Sequence, residues 1–465
     1  MKNLKWKKVG SAVLATALAG SMVLPATAYA QGEIVQLEGG TSTQTNTAPE
    51  QVFLNKYSGT VRTQNFNDNW KFYLGDASGA QTPSFDDSSW DQVNLPHDYS
   101  IDQKYNRSMD GESGYLPGGT GWYRKSFTVD KSLEGKRISI DFGGVYMNAT
   151  IYVNGKKLGT HPYGYTPFSF DITDNVKFGK ENVIAVKVDH QTPSSRFYSG
   201  SGIYRDVDFV VTDTVHVDKN GTKIETPDLK EHVDGNNVAV KVKTTVVNES
   251  ERDASVKVKH TIYPKNGTAE QAVATFESQE AVAVEKGKSK DVSADFTASG
   301  VQLWSTTTPN LYTVKTEVLM DGATVDTYET DYGFRYFAFD KNNGFTLNGQ
   351  KMKLQGVCMH HDQGALGSVA NDRSTERQVE ILKMMGCNSI RVTHNPASDE
   401  LIDACNKHGI LVIDEAFDGW VAPKNGNSND YAKWFNKEIE SDNEIMGAAD
   451  NMTWAQFDLT AMIER

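Results

Sequence analysis

The sequence predicts three domains in a row: a jelly-roll β-sandwich, an immunoglobulin-like β-sandwich, and the first three βα units of an incomplete (β/α)8 TIM barrel. Three observations predict this. Short segments of alternating apolar and polar residues, broken by Gly-rich turns, run from about residue 56 to 337. The texture of that alternation changes near residue 214. After about residue 338 the pattern becomes strand, helix, strand, helix, strand, which implies a parallel sheet with right-handed crossovers. At roughly 100–200 residues per domain, 465 residues suit three domains.

Residues 1–30 have the layout of a signal peptide. Lys2, Lys5, Lys7 and Lys8 precede an apolar and small-residue stretch from Val9 to Leu24, and Ala28-Tyr29-Ala30 forms an A-x-A cleavage site. The stretch is short and rich in Gly, Ala and Ser for a bilayer span. The expectation is cleavage after Ala30 and a secreted or cell-surface protein without a membrane span. Residues 31–55, rich in Gln, Thr, Gly and Ser, read as a flexible leader.

The jelly roll is expected over 56–213. Ile138, Ile140 and Phe142 alternate with polar residues, as do Val183 to Val188. Ile151-Tyr152-Val153 runs into Asn154-Gly155, a hairpin signal because a type I′ turn needs positive φ at both central residues. The immunoglobulin-like sandwich is expected over 214–337, where Val238 to Val247, Ser255 to Ile262 and Tyr312 to Leu319 alternate Val, Ile and Tyr with Lys, Thr and Glu.

The barrel portion is expected over 338–465. Met352 to Val357 reads as its first strand. A helix over Ser374 to Met385 carries Val379, Leu382 and Met385 on one face, with Thr375 and Gln378 as a capping box and Gly386 at its end. Asn388 to Val392 is the second strand. Ser398 caps the next helix, with Asp399 and Glu400 in its first turn, and Gly409 ends it. Ile410 to Ile413 is the third strand. A loop of about 35 residues and a helix near Met452 to Arg465 follow.

Bulk properties narrow the partners. The formal charge is −13, from 47 basic and 60 acidic residues, which argues against nucleic acid and suits a neutral ligand. The three cysteines, Cys358, Cys387 and Cys405, match no zinc spacing or disulfide framework and read as small core residues.

In α/β barrels, chemistry gathers just past the C-terminal ends of the strands. Each predicted strand end here delivers a polar cluster: Met359-His360-His361-Asp362, Arg391-Val392-Thr393-His394-Asn395-Pro396, and Asp414-Glu415-Ala416-Phe417-Asp418. Arg supplies a donor fork, His and Asn donate or accept, and carboxylates accept from hydroxyl groups, so these residue types suit a polyhydroxylated ligand. His-His-Asp could also hold a metal, although adjacent histidines diverge unless the backbone turns sharply. Gly118-Gly119-Thr120-Gly121 lacks the Lys of a phosphate loop, and Ser199-Gly200-Ser201-Gly202 lacks the spacing of a nucleophile elbow.

These motifs carry a resemblance. Gln355-Gly356-Val357 through His360-His361-Asp362, the run Asn388 to Pro396, and Asp414 to Asp418 resemble the first three barrel strands of glycoside hydrolase family 2. Gly121-Trp122-Tyr123-Arg124 and Gly200 to Arg205 resemble that family's jelly-roll sugar-binding domain. Leu303-Trp304 with Pro309-Asn310-Leu311-Tyr312 resembles the end of its immunoglobulin-like domain. The segments at Glu112 to Tyr115 and Pro423 to Gly426 are most similar to large secreted Gram-positive β-galactosidases. The resemblance covers about residues 56–465.

It implies a retaining glycosidase that removes terminal non-reducing β-D-galactose from oligosaccharides or glycans, with one glutamate as acid/base and one as nucleophile. In relatives these end barrel strands four and seven, so both are expected beyond Arg465 and no catalytic residue is expected in this chain, which would be inactive alone. His360, Arg391 and His394 match positions that in relatives contact the sugar or orient the acid/base; Asn395, Asp414 and Glu415 are second choices for substrate binding. Many relatives bind magnesium after strand three, but Phe417-Asp418-Gly419-Trp420 departs from that ligand pattern, so no metal or cofactor is expected. The alternatives are a β-glucuronidase or β-mannosidase of the same family, or a non-catalytic carbohydrate-binding or adhesion protein. A half-built barrel is further expected to be the least stable part of the chain.

Overall fold

The structure is a computed structural model that describes residues 55–59, 61–420 and 422–465. The signal peptide expected at 1–30 and almost all of the leader at 31–55 lie outside the described residues.

The first sandwich pairs two sheets. One runs in the order Asp91–Val93, Trp70–Leu74, Gly119–Val129, Glu181–His190, Ala149–Val153, Lys156–His161, with Lys56–Tyr57 added in parallel to Gly119–Val129. The other runs Phe168–Asp171, Arg137–Phe142, Val207–Thr212, Thr63–Asn65. Along Arg137–Phe142 every second residue is buried, so a period of two puts Ile138, Ile140 and Phe142 in the core. Asn154 (φ 50°) and Gly155 (φ 88°) form the tight turn between Ala149–Val153 and Lys156–His161. The core between the sheets is aromatic: Phe66, Phe127 and Phe209 pack with Tyr57, and Phe142 stacks on Phe168 at 4.9 Å.

The second sandwich faces a sheet of Val215–Glu225, Val238–Asn248 and Lys288–Ala298 against one built on Ala254–Pro264, Tyr312–Met320 and Ala323–Tyr332. Its alternating valines (Val238, Val240, Val242, Val256, Val258) are buried. Asn310 Nδ2 donates to the Leu303 carbonyl at 3.0 Å, which closes the loop carrying Leu303-Trp304 and Pro309-Asn310.

The barrel portion holds three parallel strands: Gly356–Met359, Ser389–Val392 and Leu411–Ile413. The first starts four residues later than the alternation suggested. Gln350–Lys351 is taken by a small antiparallel sheet with Gly344–Leu347 and Phe337–Asp340, so the parallel strand begins only at Gly356. Helix α1 (Asp372–Met384) is capped by Asn371, whose side chain accepts from Ser374 N at 3.2 Å. The expected Thr375–Gln378 box is therefore not the cap. Thr375 is buried one turn in, where its hydroxyl accepts from Gln363 Nε2 at 2.9 Å. Helix α2 (Asp399–His408) has the expected Ser398 cap and ends at Gly409 in the left-handed region, φ 70°. Val379 of α1 and Leu401 and Cys405 of α2 cover Ile390 and Val392. Only Cys405 is the core cysteine that sequence suggested. Cys358 is exposed on the first strand and Cys387 is half-buried.

The segment after the third strand is the expected loop, with only short 3-10 turns before the last helix, and it packs against the first sandwich. Glu444 N donates to the Leu158 carbonyl and Met446 N to that of Ser169, at 2.8 and 2.9 Å. Tyr431, Ile445, Trp454 and Phe457 sit inside the jelly-roll core, the last two on helix α3 (Trp454–Glu464) with its Thr453–Gln456 capping box. Burial of a large apolar side chain contributes about 1.5–3 kcal/mol, so this half of the barrel portion is anchored on the first sandwich. Arg205, from the Gly200–Arg205 motif, adds a second tie: its buried guanidinium donates to the carbonyls of Tyr165 (2.8 Å), Pro396 (2.8 Å) and Ala397 (3.2 Å). Among the described residues no helix is long and apolar enough to cross a membrane.

Candidate functional site: the mouth of the parallel strands

The three strand ends converge. Parallel pairing sets Met359 opposite Val392 and Arg391 opposite Ile413, so the residues just beyond them emerge together. His360 and His394 approach with ring centroids 5.5 Å apart. Glu415 sits between the second and third strand ends: Arg391 Nε donates to its Oε1 at 2.6 Å, and His394 Nδ1 lies 3.2 Å from Oε2. A carboxylate only accepts, so His394 carries its proton on Nδ1 and leaves Nε2 for a ligand. Arg391 is raised further by its contacts with Cys358 Sγ (3.6 Å) and Glu415. Burial, with His394 adjacent, lowers His360 below the usual imidazole range, and its Nδ1 is enclosed without a protein partner. A neutral imidazole donates through one nitrogen and accepts through the other, which suits a sugar hydroxyl that does both.

Asn395 borders the same recess as Phe197 and Asp418, while Asp414 and His361 are engaged behind it. Asn395 is buried and its Oδ1 accepts from Tyr163 OH at 2.8 Å. Asp414 accepts from Ala397 N at 3.0 Å and from Arg465 Nη2 at 3.2 Å, and burial raises it. Asp414 thus braces the wall behind the mouth. His361 turns into the domain junction, with Nε2 3.1 Å from the Ser199 carbonyl, and burial lowers it to about 4.

Two mouth residues escaped sequence reasoning. Phe197, from the jelly roll, lays its ring 4.5 Å from that of His360 and 5.9 Å from that of His394. Its neighbour Arg196 forms a forked pair with Asp418: Nε lies 3.0 Å from each carboxylate oxygen and Nη2 2.7 Å from Oδ1. The only signal was their place just before the Gly200–Arg205 motif. This pair also bears on magnesium. Asp418, the acidic residue after the third strand's Glu415, is already neutralised by a guanidinium, so the segment does not offer a divalent cation the donor set it needs.

The profile described as glycosyl hydrolases family 2, sugar binding domain, matches residues 62–213; that for glycosyl hydrolases family 2 matches 222–335; and its TIM barrel domain matches 340–462. The β-galactosidase BoGH2A of Bacteroides ovatus is 43% identical over 380 residues, covering 81% of this chain and 43% of the relative. A putative β-glucuronidase of Formosa agariphila is 35% identical over 381 residues, covering 81% and 35%. A solved family 2 member from Bacteroides cellulosilyticus superposes with a TM-score of 0.78 at 38% identity, over 87% of this chain and 50% of that one. The chain thus spans half or less of each of these relatives.

Proposed function

The chain belongs to glycosyl hydrolases family 2, and from that premise we propose that it forms the sugar-holding part of a retaining β-galactosidase acting on terminal non-reducing β-D-galactose. The observation that carries this reading is one cluster at the strand ends: Arg391 and His394 both on Glu415, His360 beside His394, and the ring of Phe197 against both histidines. The imidazoles and the guanidinium address ring hydroxyls, and the aromatic face takes the apolar face of a pyranose.

The retaining route needs two carboxyl groups about 5–5.5 Å apart, one protonating the leaving oxygen and one attacking the anomeric carbon. Glu415 is held by Arg391 and His394, and we assign it to orienting them rather than to either step. The acid/base and the nucleophile would then stand on barrel strands outside these 465 residues, so that this chain binds a galactoside without cleaving it.

A β-glucuronidase is the second reading, favoured by the Formosa agariphila relative. Against it stands the charge of the mouth: Arg391 faces Glu415 and Arg196 faces Asp418, so both guanidinium groups there are matched by carboxylates. Titration of the chain with methyl β-D-galactoside and methyl β-D-glucuronide tests the reading. Tighter binding of the glucuronide would reverse it. Hydrolysis of 4-nitrophenyl β-D-galactoside by the 465-residue chain would overturn the assignment of both glutamates elsewhere. We further propose export, supported by the lysine-led apolar stretch ending at Ala28-Tyr29-Ala30; N-terminal sequencing of protein recovered from culture medium should begin at Gln31.

A further inference from the structure

We propose that Asp418 sets this mouth for neutral sugars, by holding the Arg196 guanidinium in a forked pair and so denying a uronic acid its counter-ion. The inference rests on the galactoside reading above and deepens it to a residue. Arg196 is one position from Phe197, whose ring lies 4.5 Å from that of His360, so the jelly-roll segment brings a cation to the edge of the sugar-binding hollow. Asp418 lines one recess with Phe197 and Asn395, which places the pair beside the strand ends.

The guanidinium is the side chain best matched to a carboxylate, because its planar fork meets both oxygens at once. Asp418 already occupies that fork, with three contacts of 2.7–3.0 Å. The side chain of Asp418 is only 14% exposed and that of Arg196 35%, so water screens the pair incompletely. A sugar carboxylate entering here meets an engaged guanidinium and a fixed like charge. Arg391 offers no substitute, since its partner Glu415 also holds His394.

Glu112 also acts on Arg196, and its Oε1 accepts from Asn425 Nδ2. The test therefore includes it.

The experiment titrates the full chain and its variants with methyl β-D-galactoside and methyl β-D-glucuronide at low salt. In Asp418→Asn, and more fully in Asp418→Asn with Glu112→Gln, glucuronide affinity should rise at least about tenfold while galactoside affinity stays within about threefold. Adding Arg196→Gln should abolish the gain. Asp418→Ser replaces Asp418→Asn if far-ultraviolet circular dichroism shows the latter unfolded. Galactoside binding by the unaltered chain, with no glucuronide gain in any variant, overturns this inference and leaves the galactoside reading intact. Glucuronide binding by the unaltered chain as tight as galactoside, or binding of neither sugar, overturns that reading and this inference with it.

Discussion

His161 and Asp458, 297 residues apart, share a 2.8 Å hydrogen bond in a space where neither side chain meets solvent. Asp458 lies on α3 and His161 on an edge strand of the jelly roll. Thr166 Oγ1 donates to the same carboxylate at 2.5 Å and Tyr431 OH donates to its second oxygen. One carboxylate thus accepts from three buried groups drawn from both sides of the junction.

Asp458→Ala would leave all three without an acceptor. Removing one partner of a buried, hydrogen-bonded charge costs about 3–5 kcal/mol, against about 1 kcal/mol for a single hydroxyl. The expected outcome is a fall in the urea midpoint several times larger for Asp458→Ala than for Thr166→Ala. Equal, small effects would mean the junction is held by its aromatic packing alone.

Glu415→Gln should separate affinity from stability. The Arg391 and Glu415 side chains are 41% and 27% exposed, and pairs in that range stabilise a fold by about 0–1 kcal/mol. Stability should therefore change by less than about 1 kcal/mol, while galactoside affinity falls at least about tenfold as Arg391 and His394 lose their common anchor. An unchanged dissociation constant in calorimetry would remove Glu415 from the site.

Sequence made much of this mouth legible, because its members follow strands in fixed order. His360, His394 and Glu415 are each set by a local rule, since an apolar run ends and polar residues emerge at the strand's C-terminal end; Arg391 is the polar residue inside the second strand. Phe197 and Arg196 obey no such rule. They reach the site through contacts more than 150 residues away in sequence, and nothing in Ser195-Arg196-Phe197-Tyr198 records that approach. Capping was legible where the cap lies next to the apolar run, as at Ser398. It was misread at α1, where Asn371 starts the helix a turn before the first buried residue and Thr375 only imitates a cap. The anchoring of 431–457 was hidden for the same reason as Phe197: its partners, such as Phe170 and Leu158, belong to a different domain.

Histidine burial predicts acid sensitivity. His361 falls to about 4 in the fold, against about 6.5 in an unfolded chain. Below pH 6.5 the unfolded chain takes up a proton that the folded one refuses. The stabilisation is complete above about pH 6.5 and drains away as pH falls towards 4. Comparing denaturant stability of the wild type and His361→Gln at pH 7 and pH 5, the difference should shrink by about 2 kcal/mol at the lower pH. A difference independent of pH would mean that His361 is charged in the fold.

Glu400 predicts the opposite slope. Burial, with Asp206 nearby, raises it to about 7, against about 4.3 unfolded. Its contribution is present below about pH 4.3 and lost as pH rises towards 7, because the unfolded chain releases a proton that the fold retains. Glu400→Gln should therefore gain on the wild type by about 2–3 kcal/mol between pH 5 and pH 8. Parallel stability curves would show that Glu400 ionises freely.

The sandwich core that borrows Tyr431, Trp454 and Phe457 has a consequence for biosynthesis. The last strand of that sandwich ends at Thr212, but the indole that completes its interior leaves the ribosome roughly 240 residues later, on the order of tens of seconds at about 5–20 residues per second. During that interval the interior of the sandwich lacks part of its aromatic filling. A chaperone that recognises exposed rings would find this nascent chain in mid-synthesis and lose hold of it once α3 has docked.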